Sequence, residues 1–370
     1  MAALQMACTR PVLAAATAPG VAAALLAATP AISGTTGELV TGVSHSAVHG
    51  GTAFADIVVD DAFGSGVTLD FRARGGPEGH ALQLGAGGTS PLGGSFPGDD
   101  TELYWRVGLS ASDWEAESFA SRDAEVALGL GADLSATLSY AAEVFWDGVT
   151  TTDLDPSLSA LILRDEGRAT AYGLGLSLAY DARDGAGLLA PGTEMGASLR
   201  WAASPEDRDW TQVSLSARHV VRLGPGGLRL EASGGAIEGR AEDGWVPIHD
   251  RAFLGGSAPR GFAYGGLGPR DAVTGDALGG TRFALASAEY LVPVRGNLHV
   301  GVFADAGSLW SLPGGGTDVV GEAFDLRSSY GLTVAWEGNF GTFSLSLADP
   351  VSRRDYDEVQ TLSLSLEASF

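Results

Sequence analysis

Between Tyr172 and Tyr180 the chain alternates strictly: Tyr172, Leu174, Leu176, Leu178 and Tyr180 occupy one set of positions, and Gly173, Gly175, Ser177 and Ala179 the other. A period of two sends these sets to opposite faces of a β-strand. Leucines bracketed by aromatics suit a face that meets lipid and ends at two membrane interfaces. The core face of a soluble sandwich would read the same way, so one segment does not distinguish the two. Repetition does. Val67, Leu69 and Phe71 alternate with Thr68, Asp70 and Arg72, and Leu103, Trp105, Val107 and Leu109 with Tyr104, Arg106 and Gly108. Met195, Ala197, Leu199 and Trp201 follow the rule, as do Tyr330, Leu332, Val334 and Trp336, and Phe343, Leu345 and Leu347.

About sixteen such segments are predicted, near 39–46, 53–60, 66–74, 79–87, 101–111, 120–131, 134–146, 168–182, 193–203, 209–222, 226–238, 280–294, 297–307, 328–337, 340–348 and 357–370. Connections near Gly224–Gly227, Arg295–Asn297 and Gly338–Gly341 are tight, whereas 147–167, 239–279 and 308–327 are long. Short turns at one end, long loops at the other and an even strand number describe an outer-membrane barrel. The predicted fold is therefore all-β, a transmembrane antiparallel β-barrel of about 16 strands. In the last segment Leu362, Leu364, Leu366, Ala368 and Phe370 share a face. Ending on an aromatic at the membrane edge resembles the C-terminal signal read by barrel-assembly machinery; a soluble edge strand is the alternative.

Composition fits this picture. Of 370 residues 18% are charged, fewer than is usual for a soluble protein, and the mean hydropathy is only +0.12. Beyond the N-terminus no apolar run reaches the roughly 18–20 residues of a spanning helix. Arg10, the apolar stretch Val12–Ala28 and the small residues Thr29-Pro30-Ala31 read as a cleaved export signal over 1–31, leaving 32–370 as the barrel domain. The alternative, a short membrane anchor, is interrupted by Pro19 and Gly20.

The net charge of −23 argues against nucleic-acid partners. Every basic residue is arginine. Acidic clusters at Asp99, Asp100 and Glu102, and at Glu206, Asp207 and Asp209, are either divalent-cation sites or solvated loops. The single cysteine, Cys8, lies in the leader, so no disulfide or thiol chemistry is expected in the mature chain. No metal-ligand spacing among the histidines and no Gly-x-Ser-x-Gly elbow stands out. Neither metal nor cofactor is expected, and the chain does not read as an enzyme.

The segment Asp250-Arg251-Ala252-Phe253-Leu254-Gly255-Gly256, Pro259-Arg260-Gly261-Phe262 and Gly265-Gly266-Leu267-Gly268-Pro269-Arg270-Asp271 resembles the sixth extracellular loop of the BamA and TamA-like outer-membrane assembly family, also called the bacterial surface antigen family. Its hallmark, an Arg-Gly-Phe or Arg-Gly-Tyr step, is matched by Arg260, Gly261 and Phe262. Ser287-Ala288-Glu289-Tyr290 with Pro293, and Phe303-Ala304-Asp305-Ala306-Gly307, resemble the next two strands of the family. Tyr180-Asp181-Ala182-Arg183 with Pro191-Gly192 resembles an upstream turn. The resemblance is best from about residue 168 onward.

It implies a long loop folded into the lumen. A lumenal arginine needs a carboxylate, because an unpaired buried charge is costly. Strand phase puts Val300, Val302, Ala304 and Ala306 on lipid and Asp305 in the lumen. The resemblance implies that Arg260 pairs with Asp305, with Glu289 a second acceptor, beside Gly307; a solvated loop arginine is the alternative reading.

It also implies assistance to the assembly or insertion of other outer-membrane proteins. The partners would be outer-membrane lipids, unfolded client proteins and accessory periplasmic proteins. Family members carry periplasmic polypeptide-binding modules, for which the stretch before the first predicted strand is too short. The expectation is thus a barrel-only member or a fragment. The seam would join 39–46 to 357–370, where Thr41, Gly42, Ser44, His45 and Ser46 make a poor lipid face. The competing reading is a passive outer-membrane pore or structural barrel without insertase activity.

Overall fold

The computed structural model of the chain describes residues 36–46, 50–62, 64–76, 79–89, 103–115, 120–152, 154–185, 187–205, 208–338 and 341–367. The predicted export signal lies outside them, as do Phe370 and the acidic residues Asp99, Asp100, Glu102, Glu206 and Asp207.

Among the described residues sixteen strands form one antiparallel sheet, each paired with the next in sequence. They are β1 (Thr36–Ser46), β2 (Gly50–Ala62), β3 (Val67–Gly76), β4 (Gly79–Thr89), β5 (Leu103–Glu115), β6 (Ala120–Asp133), β7 (Leu138–Thr152), β8 (Gly167–Asp181), β9 (Gly192–Ala203), β10 (Trp210–Leu223), β11 (Gly226–Gly239), β12 (Arg282–Arg295), β13 (Leu298–Trp310), β14 (Arg327–Gly338), β15 (Gly341–Ser352) and β16 (Leu362–Glu367). Each overlaps a predicted segment. Strands β1 and β16 lie side by side, so the sheet curls round on itself; the described ladders do not join them.

The faces follow the period of two. Tyr172, Leu174, Leu176 and Leu178 on β8 are 51–55% exposed on the outside. Tyr330, Leu332, Val334 and Trp336 on β14 are also exposed there, at 43–59%. Their neighbours Ser329, Thr333 and Ala335 are buried on the inside. In an outer-membrane barrel the first set meets hydrocarbon.

Two tight hairpins show local sequence at work. Leu223 pairs with Gly226 across Gly224-Pro225, and Arg295 with Leu298 across Gly296-Asn297. Gly224 and Gly296 take φ of +58° and +54°, as the first position of a two-residue hairpin loop demands. These turns mark one end of the sheet, periplasmic in this architecture, and the long connections 153–166, 240–281, 311–326 and 353–361 mark the other.

Most boundaries differ from the sequence reading by up to four residues, and two differ by more. Strand β7 runs on to Thr152, six residues past the predicted end. This stretch lies beyond the lipid-facing band, so its outward positions carry no apolar signal. The final strand starts at Leu362 rather than 357, because Val359 and Gln360 pair with Phe262 and Gly261 of the long loop. Leu362, Leu364 and Leu366 align with Leu347, Leu345 and Phe343 of β15. Leu362 is exposed and Ser363 buried, as the alternation predicts.

The apolar core sits between the wall and the loop 240–281. Ala252, Leu254, Phe262 and Leu267 of the loop pack on Leu309 of β13, with Phe283 and Leu285 of β12 alongside. Val246 joins Phe145, Trp210 and Ile237. Ile248 and Leu278 meet Ile162 and Leu312 from neighbouring loops. Burying these side chains is what draws the loop inward.

Candidate functional site

Arg260 is presented by the step Pro259-Arg260-Gly261. Gly261 adopts φ +97°, and a Cβ there would come within 3.2 Å of the Ser329 Cβ and 3.3 Å of the Ala348 Cβ. Only glycine combines that backbone with so close an approach to the wall. Gly261→Ala is expected to weaken loop docking by about 1–3 kcal/mol, read as faster hydrogen exchange over the loop. Gly307→Ala should cost less, because the nearest atom to its added Cβ is the movable tip of Leu285, at 2.6 Å.

The guanidinium points into the wall. Its Nε and Nη2 donate to the two oxygens of Asp305, each at 2.8 Å, and the backbone N–H of Arg260 donates to the same carboxylate at 3.0 Å. Nη1 donates to Glu289 at 2.6 Å, and Nη2 also reaches Ser287 Oγ at 3.2 Å. Ser287 donates to Asp305 at 2.7 Å. The Arg260 guanidinium carbon lies 3.4 Å from the centre of the Phe303 ring. Ser329 of β14 donates to the Arg260 carbonyl. Thus three adjacent strands hold one loop residue, since Ser287 and Glu289 belong to β12, and Phe303 and Asp305 to β13.

The fork-to-fork pair is the strongest geometry available to arginine and carboxylate. Burial opposes the Arg260 charge, but hydrogen bonds and proximity to Asp305 and Glu289 outweigh it and hold the group above its ordinary range. Glu289 in turn accepts from Arg229 at 2.6 Å, and Glu231 accepts from Arg218 at 2.7 Å. Charges therefore alternate along the inner wall of β10–β12.

Three further arginine anchors were not singled out by sequence reasoning. Arg251 is fully buried. It donates to the carbonyls of Val246 and Leu278 at 2.7 and 2.8 Å and lies 3.4 Å from Asp165. Its guanidinium carbon is 4.2 Å from the Trp245 ring centre, and that of Arg164 is 4.1 Å from it. Burial lowers Arg251 to about 10 and raises Asp165, so desolvation outweighs this pair. Arg270 reaches Glu358 at 2.7 Å and the carbonyl of Gly265 at 2.7 Å. Arg208 grips both oxygens of Asp250 at 2.7 Å and Asp147 of β7 at 2.7 Å. The signal for the first two was present, since both arginines lie in the quoted motif. Of the acidic clusters, the described residue Asp209 accepts from the backbone N–H of Ser204 and pairs with Arg240 at 3.2 Å.

His249 lies against the wall, Nε2 2.5 Å from Thr151 Oγ1 and Nδ1 3.5 Å from Ser121 Oγ. Burial, joined by the nearby Arg208 and Arg251 and opposed by Asp250 and Asp147, pulls its pKa from 6.5 to about 4. The docked loop therefore favours neutral imidazole. That contribution is complete above pH 6.5 and is lost as pH falls from there towards 4. Loop protection should decline over that window, and His249→Gln should flatten the decline; a profile identical in both proteins would contradict this.

Comparison with known proteins places the arrangement. Residues 61–370 match the Omp85 superfamily domain. The outer membrane protein assembly factor BamA of Neorickettsia risticii is 34% identical over 147 residues, which cover 39% of this chain and 19% of that protein. BamA of Neisseria meningitidis serogroup B is 27% identical over 203 residues, covering 47% and 24% respectively. The chain thus spans about a fifth to a quarter of the curated relatives it matches. The crystal structure of BamA from Haemophilus ducreyi lacking POTRA domains 1-3 superposes with a TM-score of 0.72 at 18% identity, over 89% of this chain and 69% of that one. With a family match over most of its length and the same barrel fold, the chain belongs to the Omp85 superfamily as a BamA/TamA-like outer-membrane β-barrel protein.

Proposed function

We propose that the protein assists the assembly or insertion of other proteins into the outer membrane. The observation that carries this reading is the loop 240–281, docked inside the barrel by Arg260 on Asp305 and Glu289, in a chain of the superfamily to which the BamA relatives belong. A loop tied to three adjacent strands sets the shape of the wall on which an incoming strand would form. The clients are unfolded outer-membrane β-barrel chains, the solvent is the surrounding lipid, and accessory periplasmic proteins would deliver the clients.

The test is reconstitution in liposomes, with the folding rate of an unfolded outer-membrane protein followed by its change in gel mobility. Acceleration above empty liposomes and above liposomes holding an unrelated barrel is expected. Folding no faster than in those controls, with steady ion conductance instead, would leave a passive barrel.

A further inference from the structure

The turn between β8 and β9 does not hang free at the periplasmic end. Its base is fixed by Asp181, which receives the Arg183 N–H at 3.1 Å and both arms of its guanidinium at 2.9 and 2.7 Å. The Asp184 N–H donates to the Pro191 carbonyl at 2.7 Å. From that base the tip Gly187–Leu189 folds into the lumen. Leu188 is buried against Leu291 of β12 and Ala335 of β14, with Leu189 alongside, and the added Cβ of Gly227 on β11 would meet Leu189 at 2.9 Å. All three wall residues alternate with outward-facing neighbours, so the contact is lumenal. The Leu188 N–H donates to Glu337 at 2.5 Å, and His299 lies 3.6 Å from the same carboxylate. Gly187, at φ +104°, permits this: its added Cβ would sit 2.7 Å from Glu337 Oε1.

An apolar tip seated on a small apolar patch of the lumen wall beside the Glu337 carboxylate, held by two leucines and one charge-assisted hydrogen bond, is a poor use of a turn unless its place there matters. We propose that this turn is a withdrawable periplasmic gate, which narrows the lumen from below while the Arg260-held loop closes it from above. The base stays fixed and the tip moves, because the base carries the ionic contacts and the tip carries few.

Two readouts test this in the full-length protein. Leu188→Cys is followed with a membrane-impermeant maleimide; the chain's one cysteine, Cys8, is absent from the described barrel. Labelling about tenfold slower than at Arg222→Cys, an exposed position at the periplasmic end of β10, is expected. Adding Gly187→Val, which disfavours the inward backbone and clashes with Glu337, should abolish that difference. Equal labelling at both positions without the added substitution would overturn the seated tip. In planar bilayers, Gly187→Val combined with Arg260→Ala should conduct well beyond the sum of the two single variants, as gates in series require. A double variant that conducts no more than their sum would overturn the gating role. The labelling arm needs no loop variant, so a failure of Arg260→Ala to assemble leaves the proposal testable.

Discussion

Replacing Arg260 with alanine is expected to release the loop 240–281 from the wall and raise hydrogen exchange over residues 251–271 by about two to four orders of magnitude, corresponding to roughly 3–5 kcal/mol. The size comes less from bonds lost than from the charge left behind. Glu289 keeps Arg229 at 2.6 Å, but once the loop and its residue-260 N–H withdraw, Asp305 keeps, among the described residues, only the Ser287 hydroxyl. A carboxylate buried on the inner wall without a cation is the costly product. Arg260→Lys should restore part of the loss, supplying charge but not the two-pronged fork. In a double-mutant cycle, Arg260→Ala and Asp305→Ala together should cost far less than the sum of the singles. Additive costs would show that the two side chains act independently.

Arg208→Ala is expected to be comparably severe, also about 3–5 kcal/mol, although Arg208 lies outside the loop. It is 3% exposed and bridges Asp250 on the loop to Asp147 on β7. Removing it leaves two buried carboxylates beside His249. Without Arg208, whose charge opposes its own, His249 would hold its proton more readily. The variant should therefore lose least on acidification, while the parent protein loosens as His249 titrates. Loop protection measured from pH 8 to 5 should fall in the parent and fall less in Arg208→Ala. Parallel profiles would contradict this account of the cluster.

The wall was legible because lipid outside and polar lumen inside impose a period of two on strand after strand. Tyr172–Tyr180 and Tyr330–Trp336 carry it without ambiguity. Where a strand leaves the membrane, as β7 does beyond Trp146, the environment on the outer face changes and the pattern stops before the strand does. The loop was legible only through its resemblance to a family. Its apolar residues Ala252, Leu254, Phe262 and Leu267 show no period, because they pack on a curved wall rather than along one face of a regular element. Arg208, Asp147 and Asp250 could not be joined from sequence, being 61 and 42 residues apart with no local signal linking them. The inward turn at Gly187–Leu189 was likewise hidden: its motif predicts a turn, and only the packing on Leu291 and Ala335 gives its direction.

The most direct test of the central claim compares client folding in liposomes carrying the parent protein or Arg260→Ala, at equal amounts of inserted barrel. If the docked loop shapes an insertion-competent wall, the parent accelerates folding and the variant loses most of that acceleration while still inserted. Equal acceleration by both proteins would contradict the account, because insertion would then proceed without the arginine that holds the loop.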